Sequence, residues 1–334
     1  MKILVTGATG FIGARLVREL LRKGQEISIL CRATSDVSAF ENTPVRIFRG
    51  DLASPDDMRA AIADCDAVYH LAAFAKNWAR YPEEVHRINR DALENVLAVA
   101  REIGVRRVLY TSTVMVYGPS NGHPVTERTQ RSAPCGTLYE ESKIQGEAIV
   151  DRAVADGLDV VVVHPSRVFG PGLLSEANST TILMQQYLRG TYRMLPGDGS
   201  AAGNYVFVDD VVRGCIAAMD HGRTGRHYIL GGANLTFSEF FDILAECSGK
   251  RRRLMPVPRV LARGAAIVQE KLGSLGVMTP VITPGWVDVF YDDWLCSSAQ
   301  AETEIGYEPT AMKDAVQITV DWLRNENGRK EVLS

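Results

Sequence analysis

The stretch Ile3-Leu4-Val5-Thr6-Gly7-Ala8-Thr9-Gly10-Phe11-Ile12-Gly13 decides the fold. Four residues typical of a β-strand lead into three glycines, and an amphipathic helical pattern follows them. Gly7 permits a tight turn, Gly10 lets backbone approach a pyrophosphate, and Gly13 allows the helix to pack closely on the strand. The positive N-terminal end of the helix then faces the phosphates. The stretch predicts a dinucleotide site with contacts from Gly7, Thr9, Gly10, Phe11, Ile12 and Gly13.

The rest of the first half alternates short β-branched runs with longer helical patterns, which indicates βαβ units and a parallel sheet. Predicted strands cover Ile3 to Thr6, Glu26 to Cys31, Val45 to Arg49, Ala67 to Leu71, Val105 to Thr111 and Leu158 to His164. Predicted helices cover Phe11 to Lys23, Pro55 to Ala63, Pro82 to Ile103 and Tyr139 to Asp156. Right-handed crossovers give an α/β fold, a doubly wound Rossmann sheet with helices on both faces.

Glycine and proline become frequent after Pro165, and the strand-helix alternation loosens there. Predicted helices follow at Val208 to Met219, Phe237 to Ser248, Arg259 to Leu272 and Met312 to Asn325, with a strand near His227 to Leu230. We therefore expect a dinucleotide-binding domain over residues 1–165 and a smaller α/β substrate lobe over residues 166–334.

Composition excludes several classes of partner. A formal net charge of -3 gives no reason to expect nucleic acid or a membrane, and Arg251 to Arg253 are interpreted as solvated surface. Six scattered cysteines, without a histidine cluster at metal-ligand spacing, predict reduced thiols and no metal. No apolar run approaches the ~20 residues of a membrane span. With a strand and glycine turn in place of a signal peptide, we expect a cytoplasmic enzyme.

The spacing Gly-x-x-Gly-x-x-Gly resembles that of the extended short-chain dehydrogenase/reductases, the epimerase/dehydratase family. Further segments resemble it in the same order: Gly50-Asp51-Leu52, His70-Leu71-Ala72-Ala73, Thr111 to Gly118, and His164 to Gly172. The resemblance implies that some later segments return to the first domain. It also implies cofactor contacts from Asp51, Leu52, Leu71, Ala72, Ala73, Thr111, Pro165, Arg167 and Val168. His164 itself is interpreted as a packed residue at the end of its strand.

The end of the second strand bears on the choice between NAD and NADP. An acidic side chain there would bind the ribose 2'-hydroxyl and repel a 2'-phosphate, but the sequence reads Cys31-Arg32-Ala33-Thr34-Ser35. A guanidinium with two nearby hydroxyls favours a phosphate. The sequence predicts NADP, with NAD as the alternative in which Arg32 is a surface residue without a role.

Tyr139 and Lys143 stand four residues apart on a predicted helix and therefore share a face. A nearby ammonium favours the tyrosinate, which makes the pair suited to acid-base chemistry. The resemblance implies that Lys143 holds the nicotinamide ribose and that Tyr139 exchanges a proton with the substrate oxygen. It also places a hydroxyl five residues before Gly118, at Thr113, with Ser112 as the alternative.

The residues around this pair bear on the reaction. Val114 and Met115 stand where similar nucleotide-sugar dehydratases have Asp-Glu, and Gly203 stands where nucleotide-sugar enzymes have a diphosphate-binding arginine. The sequence as a whole resembles those of dihydroflavonol-reductase-like and hopanoid-associated sugar epimerase-like proteins. We expect an NADP-dependent reductase or dehydrogenase of a carbonyl/alcohol pair, with substrate contacts from Phe74, Met115, Asn204 and Tyr205.

Two other functions stay open. One is a nucleotide-sugar epimerase, in which Arg193 or Arg213 supplies the phosphate anchor. The other is a non-catalytic dinucleotide sensor. The family also implies a homodimer, formed by the helices Pro82 to Ile103 and Tyr139 to Asp156.

Overall fold

The computed structural model describes residues 1–76 and 78–325. Its strands are β1 (Lys2–Thr6), β2 (Glu26–Cys31), β3 (Arg46–Arg49), β4 (Ala67–His70), β5 (Arg107–Thr111), β6 (Val160–Pro165), β7 (Arg167–Phe169), β8 (Met194–Pro196), β9 (Ala202–Phe207), β10 (His227–Leu230), β11 (Ala233–Thr236) and β12 (Met255–Val257). Its helices are α1 (Phe11–Arg22), α2 (Pro55–Ile62), α3 (Pro82–His86), α4 (Ala92–Ile103), α5 (Leu138–Ala155), α6 (Ser179–Arg189), α7 (Val208–His221), α8 (Phe237–Ser248), α9 (Arg259–Ser274), α10 (Pro284–Tyr291), α11 (Ala299–Ile305) and α12 (Met312–Arg324).

A seven-stranded sheet runs in the order β10-β6-β5-β4-β1-β2-β3, and each neighbouring pair is parallel. Successive residues of a strand point to opposite faces, so the inner strands of the sheet supply both cores. In β6, Val161 and Val163 join the core that includes α1 and α7, while Val160 and Val162 join the core of α2, α4 and α5. The predicted α/β fold with a doubly wound parallel sheet is confirmed.

The second lobe holds two small sheets, one in the order β11-β9-β7 and one that pairs β12 with β8. Helix α8 packs against α12 and β11, and α10 packs against α9. Residues of β9, α8 and α10 lie across a cavity from the carboxyl ends of the large sheet, where an open α/β sheet binds its ligands.

The structure corrects several predicted boundaries. The predicted helix Pro82 to Ile103 is interrupted by a π-helical turn, Arg87–Asp91, between α3 and α4. The strand predicted from Val105 begins at Arg107, because Val105 and Arg106 still belong to the turn after Gly104, whose φ of +81° ends α4. Strand β10, predicted within the second lobe, is the edge strand of the large sheet.

Candidate active site

The glycine turn has the tight geometry that its sequence predicts. Gly7 has a φ of +71°, and a Cβ atom there would lie 2.6 Å from the backbone nitrogen of Ala72. A Cβ atom on Gly13 would lie 2.1 Å from the carbonyl oxygen of Gly7, so α1 can approach β1 only with glycine at this position. No side chain caps the first turn of α1 at Gly10. Its backbone N–H groups therefore suit an anionic ligand.

A cavity of about 630 Å³ extends along the carboxyl edge of the large sheet and into the second lobe. It collects residues from the carboxyl ends of six strands of that sheet, β1 to β6, which matches the position of a bound dinucleotide in this class of fold. Its lining includes every residue predicted for the cofactor: Gly7, Thr9, Gly10, Phe11, Ile12, Gly13, Arg32, Asp51, Leu52, Leu71, Ala72, Ala73, Thr111, Tyr139, Lys143, Pro165, Arg167 and Val168.

The loop after β2 brings Arg32 and Ser35 to one end of the cavity. The Arg49 guanidinium shapes this loop, because its Nη1 atom donates to the carbonyl oxygens of Arg32 at 3.0 Å and Ser35 at 2.8 Å. Opposite them, Asp51 accepts a hydrogen bond from Arg87 at 2.6 Å. The backbone N–H of Ala53 and the Arg87 guanidinium hold the pKa of Asp51 below its usual value. Arg87, which sequence reasoning missed, also lines the cavity.

The three predicted catalytic side chains meet in the middle of the cavity. Thr113 lies close enough to the Tyr139 hydroxyl for its own hydroxyl to lower the pKa of Tyr139, and the Lys143 Nζ atom donates to the carbonyl oxygen of Thr111 at 2.8 Å. Lys143 Nζ also lies 6.0 Å from the centroid of the Tyr139 ring. Ser112, the alternative hydroxyl, points the other way and bonds to Glu147.

Burial acts in opposite directions on the two titratable groups. It raises the pKa of Tyr139 to about 12, although the Thr113 hydroxyl counteracts part of the effect. It lowers the pKa of Lys143 to about 8, and the charge of Glu147 counteracts part of that effect. At neutral pH Tyr139 therefore carries its proton and Lys143 is mainly cationic.

Arg131 connects the loop before α5 to the turn that carries Thr113. Its guanidinium pairs with Glu140 and donates to the carbonyl oxygens of Met115 at 2.6 Å and Ala133 at 2.7 Å. Glu140 is 1% exposed, so this ion pair is buried next to the start of α5. Thr137 caps α5 by accepting a hydrogen bond from the Glu140 N–H. These contacts fix Tyr139 relative to Thr113.

A cluster of polar side chains lies one helical turn behind Lys143. Glu147 accepts hydrogen bonds from Ser112 and from His164, whose Nε2 atom lies 2.8 Å away, and His227 stacks on His164 at 5.1 Å. The titratable atoms of the three lie within 4.8 Å of one another. Linear spacing did not reveal this group, because its members come from α5, β6 and β10. Burial opposes ionisation of Glu147, but the contacts from His164 and Ser112 outweigh it and lower the pKa of this carboxyl.

The four predicted substrate residues, Phe74, Met115, Asn204 and Tyr205, also line the cavity. The Asn204 amide, however, is engaged by Gly232 and Asn234, which favours a structural role. Sequence reasoning missed most of the apolar wall. The further aromatic and aliphatic side chains are Leu183, Phe237, Phe240, Trp286, Val289, Phe290 and Trp294. The run Thr283-Pro284, a proline just inside a helix start, is the signal that would have found α10 and the two aromatic side chains, Trp286 and Phe290, that it brings to the cavity.

Arg167 occupies the space beside Gly203. A Cβ atom on Gly203 would lie 2.9 Å from the Arg167 Cζ atom, so a larger residue there would displace the guanidinium. The guanidinium lies 5.3 Å from the ring centroid of Phe237 and donates to the carbonyl oxygen of Val289 at 2.9 Å. Neither Arg193 nor Arg213 is among the described residues that line the cavity, and Arg213 pairs with Asp210 instead.

The sequence profile of the NAD dependent epimerase/dehydratase family matches residues 3–231. A protein named putative dihydroflavonol 4-reductase from Synechocystis sp. is 30% identical over 96% of this chain and 94% of its own length. Sterol demethylase protein B from Methylococcus capsulatus is 31% identical over 97% of this chain and 98% of its own. The solved structure of UDP-glucose 4-epimerase from Thermotoga maritima is 24% identical, has a TM-score of 0.80, and covers 97% of this chain with 99% of its own. That last likeness is one of fold.

The chain belongs to the NAD-dependent epimerase/dehydratase family and is an NAD(P)-dependent enzyme of the extended short-chain dehydrogenase/reductase type. The family expected from the motifs is thereby confirmed. No helix among the described residues has the length and apolar character needed to cross a bilayer.

Proposed function

We propose that this enzyme is an NADP-dependent reductase of a bulky, apolar ketone or aldehyde, and that it also catalyses the reverse oxidation of the alcohol. The observation that carries the proposal is the meeting of Thr113, Tyr139 and Lys143 beneath a wall of aromatic side chains in one cavity. The catalytic polar groups are few and lie together beside an apolar wall, which is typical of sites for apolar small molecules.

The residues around the cofactor cavity fit a dinucleotide. The glycine turn would hold the pyrophosphate, Asp51 and Leu52 the adenine end, and Lys143 the nicotinamide ribose. When bound, the nicotinamide supplies or accepts the hydride. Arg32 and Ser35 support NADP in particular, because a guanidinium and a hydroxyl lie where a 2'-phosphate would be held and the loop has no carboxylate at that point.

Tyr139 acts as the proton donor during reduction. Its raised pKa keeps the hydroxyl protonated at neutral pH, so a proton is available for the developing alkoxide. Thr113 donates a hydrogen bond to the same carbonyl oxygen and orients it. The Lys143 ammonium lowers the cost of forming the tyrosinate, and a proton returns to Tyr139 from solvent before the next turnover.

The apolar wall supports the substrate class. Met115, Trp286, Phe290 and Phe237 offer broad apolar surfaces, and burial of apolar area contributes about 25 cal/mol per Å² to binding. Arg167 is the cation on this side, but its guanidinium is already bound to Val289 and surrounded by aromatic rings. The names of the two relatives, a dihydroflavonol reductase and a sterol demethylase protein, agree with a ring-containing apolar substrate.

The proposal is tested by following NADPH oxidation with a panel of ketones of rising size, from cyclohexanone to fused-ring ketones. We expect kcat/KM to rise with apolar ring area. Tyr139→Phe is the matched control, because it retains the ring and loses the proton, and we expect turnover at least ~10²-fold lower with NADPH binding retained. Turnover by Tyr139→Phe within a few-fold of the wild type would overturn the assigned role.

The nucleotide-sugar epimerase is separated from this proposal by calorimetry with UDP and by product analysis on UDP-sugars. The reductase proposal expects weak UDP binding and an unchanged sugar. Micromolar binding of UDP together with an epimerised product would overturn it.

A further inference from the structure

An apolar surface lies on the outside of the second lobe, along α9 and the loop that follows it. We call it the α9 patch, and it consists of Val260, Leu261, Ile267, Val268 and Leu275. Val260 is 81% exposed, Leu261 66%, Val268 57% and Leu275 76%. Exposed apolar residues that cluster in this way mark an interaction surface more often than isolated ones do.

The patch follows one face of the helix. At 100° per residue its five members fall within roughly a third of the helix circumference. Ala266 and Gly273, the two buried residues of α9, lie on the opposite side and face the protein. The apolar stripe of α9 therefore points away from the core, which is the reverse of an ordinary surface helix.

Helix α9 is itself basic. It carries Arg259, Arg263 and Lys271 against one acidic residue, Glu270. Arg259 and Arg263 pair with Asp288 on α10, whereas no ion pair within the described residues involves Arg253 or Lys271. Lys271 lies within the apolar stripe itself. A basic amphipathic helix with its apolar face exposed is typical of a membrane surface.

The α9 patch lies close to the substrate side of the cavity. Helix α10 packs against α9, and its residues Trp286, Val289 and Phe290 line the cavity. The Arg259 Nη2 atom donates to the Asp288 Oδ1 atom at 2.8 Å and holds the two helices together. One helix thus separates the exposed stripe from the aromatic wall.

We infer that the α9 patch binds the surface of an anionic lipid bilayer, with α9 lying in the plane of the interface and the cavity opening near the acyl chains. The substrate part of this inference rests on the proposed function, since an apolar ketone would be taken from the bilayer. The inference departs from the expectation of no membrane partner, because a net charge of -3 describes the whole chain and not the exposed face of one basic helix. A second copy of the chain fits the patch less well, because a twofold contact along the stripe would bring the Lys271 side chains of the two copies close together.

The test is co-sedimentation of the full chain with vesicles of phosphatidylcholine, with and without about a third phosphatidylglycerol. We expect binding to the anionic vesicles that weakens as salt is raised, and at least tenfold weaker binding by Leu261→Ser/Val268→Ser. Ile318→Ser is the matched control, because Ile318 is 47% exposed on α12, away from the patch. Turnover of a water-soluble ketone within about twofold of the wild type shows that the variant is folded.

Wild-type protein that stays in the supernatant, or equal binding by the wild type and the double variant, would overturn the inference. A fall in molar mass by light scattering in the double variant would also overturn it, since the patch would then be a contact between copies. Sedimentation does not depend on turnover. A failed ketone assay therefore counts against the proposed function, and a failed sedimentation assay against the α9 patch.

Discussion

Arg32 is the residue on which cofactor preference depends most. We expect Arg32→Ala to weaken NADPH binding by ~10- to 100-fold and NADH binding little, because one charge-assisted contact to a phosphate contributes about 1.5–3 kcal/mol. Titration of cofactor fluorescence measures both. Arg46→Ala is the matched control, since Arg46 is an exposed arginine on β3 outside the cavity lining. Tighter binding of NADH than of NADPH by the wild type would contradict the NADP preference.

The sequence predicted the catalytic side chains, which belong to short motifs. It did not predict the contacts between side chains that come from distant segments. The positions of Thr113, Tyr139 and Lys143 follow from motifs within short segments. Glu147 stands four residues beyond Lys143, but its contacts with Ser112 and His164 depend on how α5 lies against β5 and β6. No local pattern encodes that arrangement.

The π-helical turn Arg87–Asp91 is an element with an identifiable task. It presents Asn89, which is 2% exposed, to the segment after β4. The Asn89 Oδ1 atom accepts from the Phe74 N–H at 2.6 Å, and its Nδ2 atom donates to Ser142 Oγ at 2.9 Å. One side chain thus connects the cavity wall to the helix of Tyr139.

We expect Asn89→Ala to lower the free energy of unfolding by about 1–3 kcal/mol, because it leaves buried polar groups without partners. The KM for the ketone should also rise several-fold, since Phe74 is released. Asn95→Ala is the control, because Asn95 on α4 donates to the Ala53 carbonyl oxygen, away from the substrate wall. Denaturant unfolding and steady-state kinetics measure the two effects, and equal KM values in both variants would refute the role of Asn89.

Helix α5 couples Glu147 to Lys143 across one turn. The pKa of Lys143 is about 8, so its ammonium is present below that pH and is lost above it. Reductive kcat/KM should therefore decline above about pH 8. Because Glu147 raises the pKa of Lys143, we expect Glu147→Gln to move this decline to lower pH.

The control for this pH profile is Glu141→Gln on the same helix, because the Glu141 carboxylate contacts Gln145 at the surface. Its pH profile should match that of the wild type. Identical profiles for Glu147→Gln and the wild type would show that Glu147 does not act on Lys143.

Elements with a strong periodic pattern were predicted well, and short ones were not. The predicted helix Phe237 to Ser248 coincides with α8, where Thr236 and Glu239 form a capping box. Strands β7, β8 and β12 have three residues each, too few for an alternating pattern to be recognised. Their pairing is decided by the tertiary fold.

At the scale of the whole molecule, the homodimer through α4 and α5 stays a prediction. The apolar faces of these helices pack on the sheet, while small residues such as Ala98 and Ala148 are exposed on their outer faces. Small exposed residues permit close approach of a partner helix. We expect a dimer by light scattering at micromolar concentration and a monomer for Ala148→Arg. A monomeric mass for the wild type in this measurement would contradict the predicted dimer.

The division between residues 1–165 and 166–334 also stays a prediction. The chain passes between the two lobes more than once, so a single boundary does not describe it fully. Strand β10 lies beside β6 with Ile229 opposite His164. Helix α7 packs on β5, β6 and α1. Glycine and proline become more frequent after Pro165, but the pairing between distant strands decides which layer each later segment joins.

Strand β10 has a consequence for the recombination of this chain with its relatives. A substrate lobe transplanted as one block from residue 166 onwards would bring a foreign edge strand to the host β6 and a foreign α7 to the host core. Chimeras that keep residues 208–230 from the host should therefore fold more reliably than chimeras with a single junction. To exchange substrate preference in such a scaffold, the substrate-lobe segments should be replaced separately, while β10 and α7 keep the sequence of the host chain.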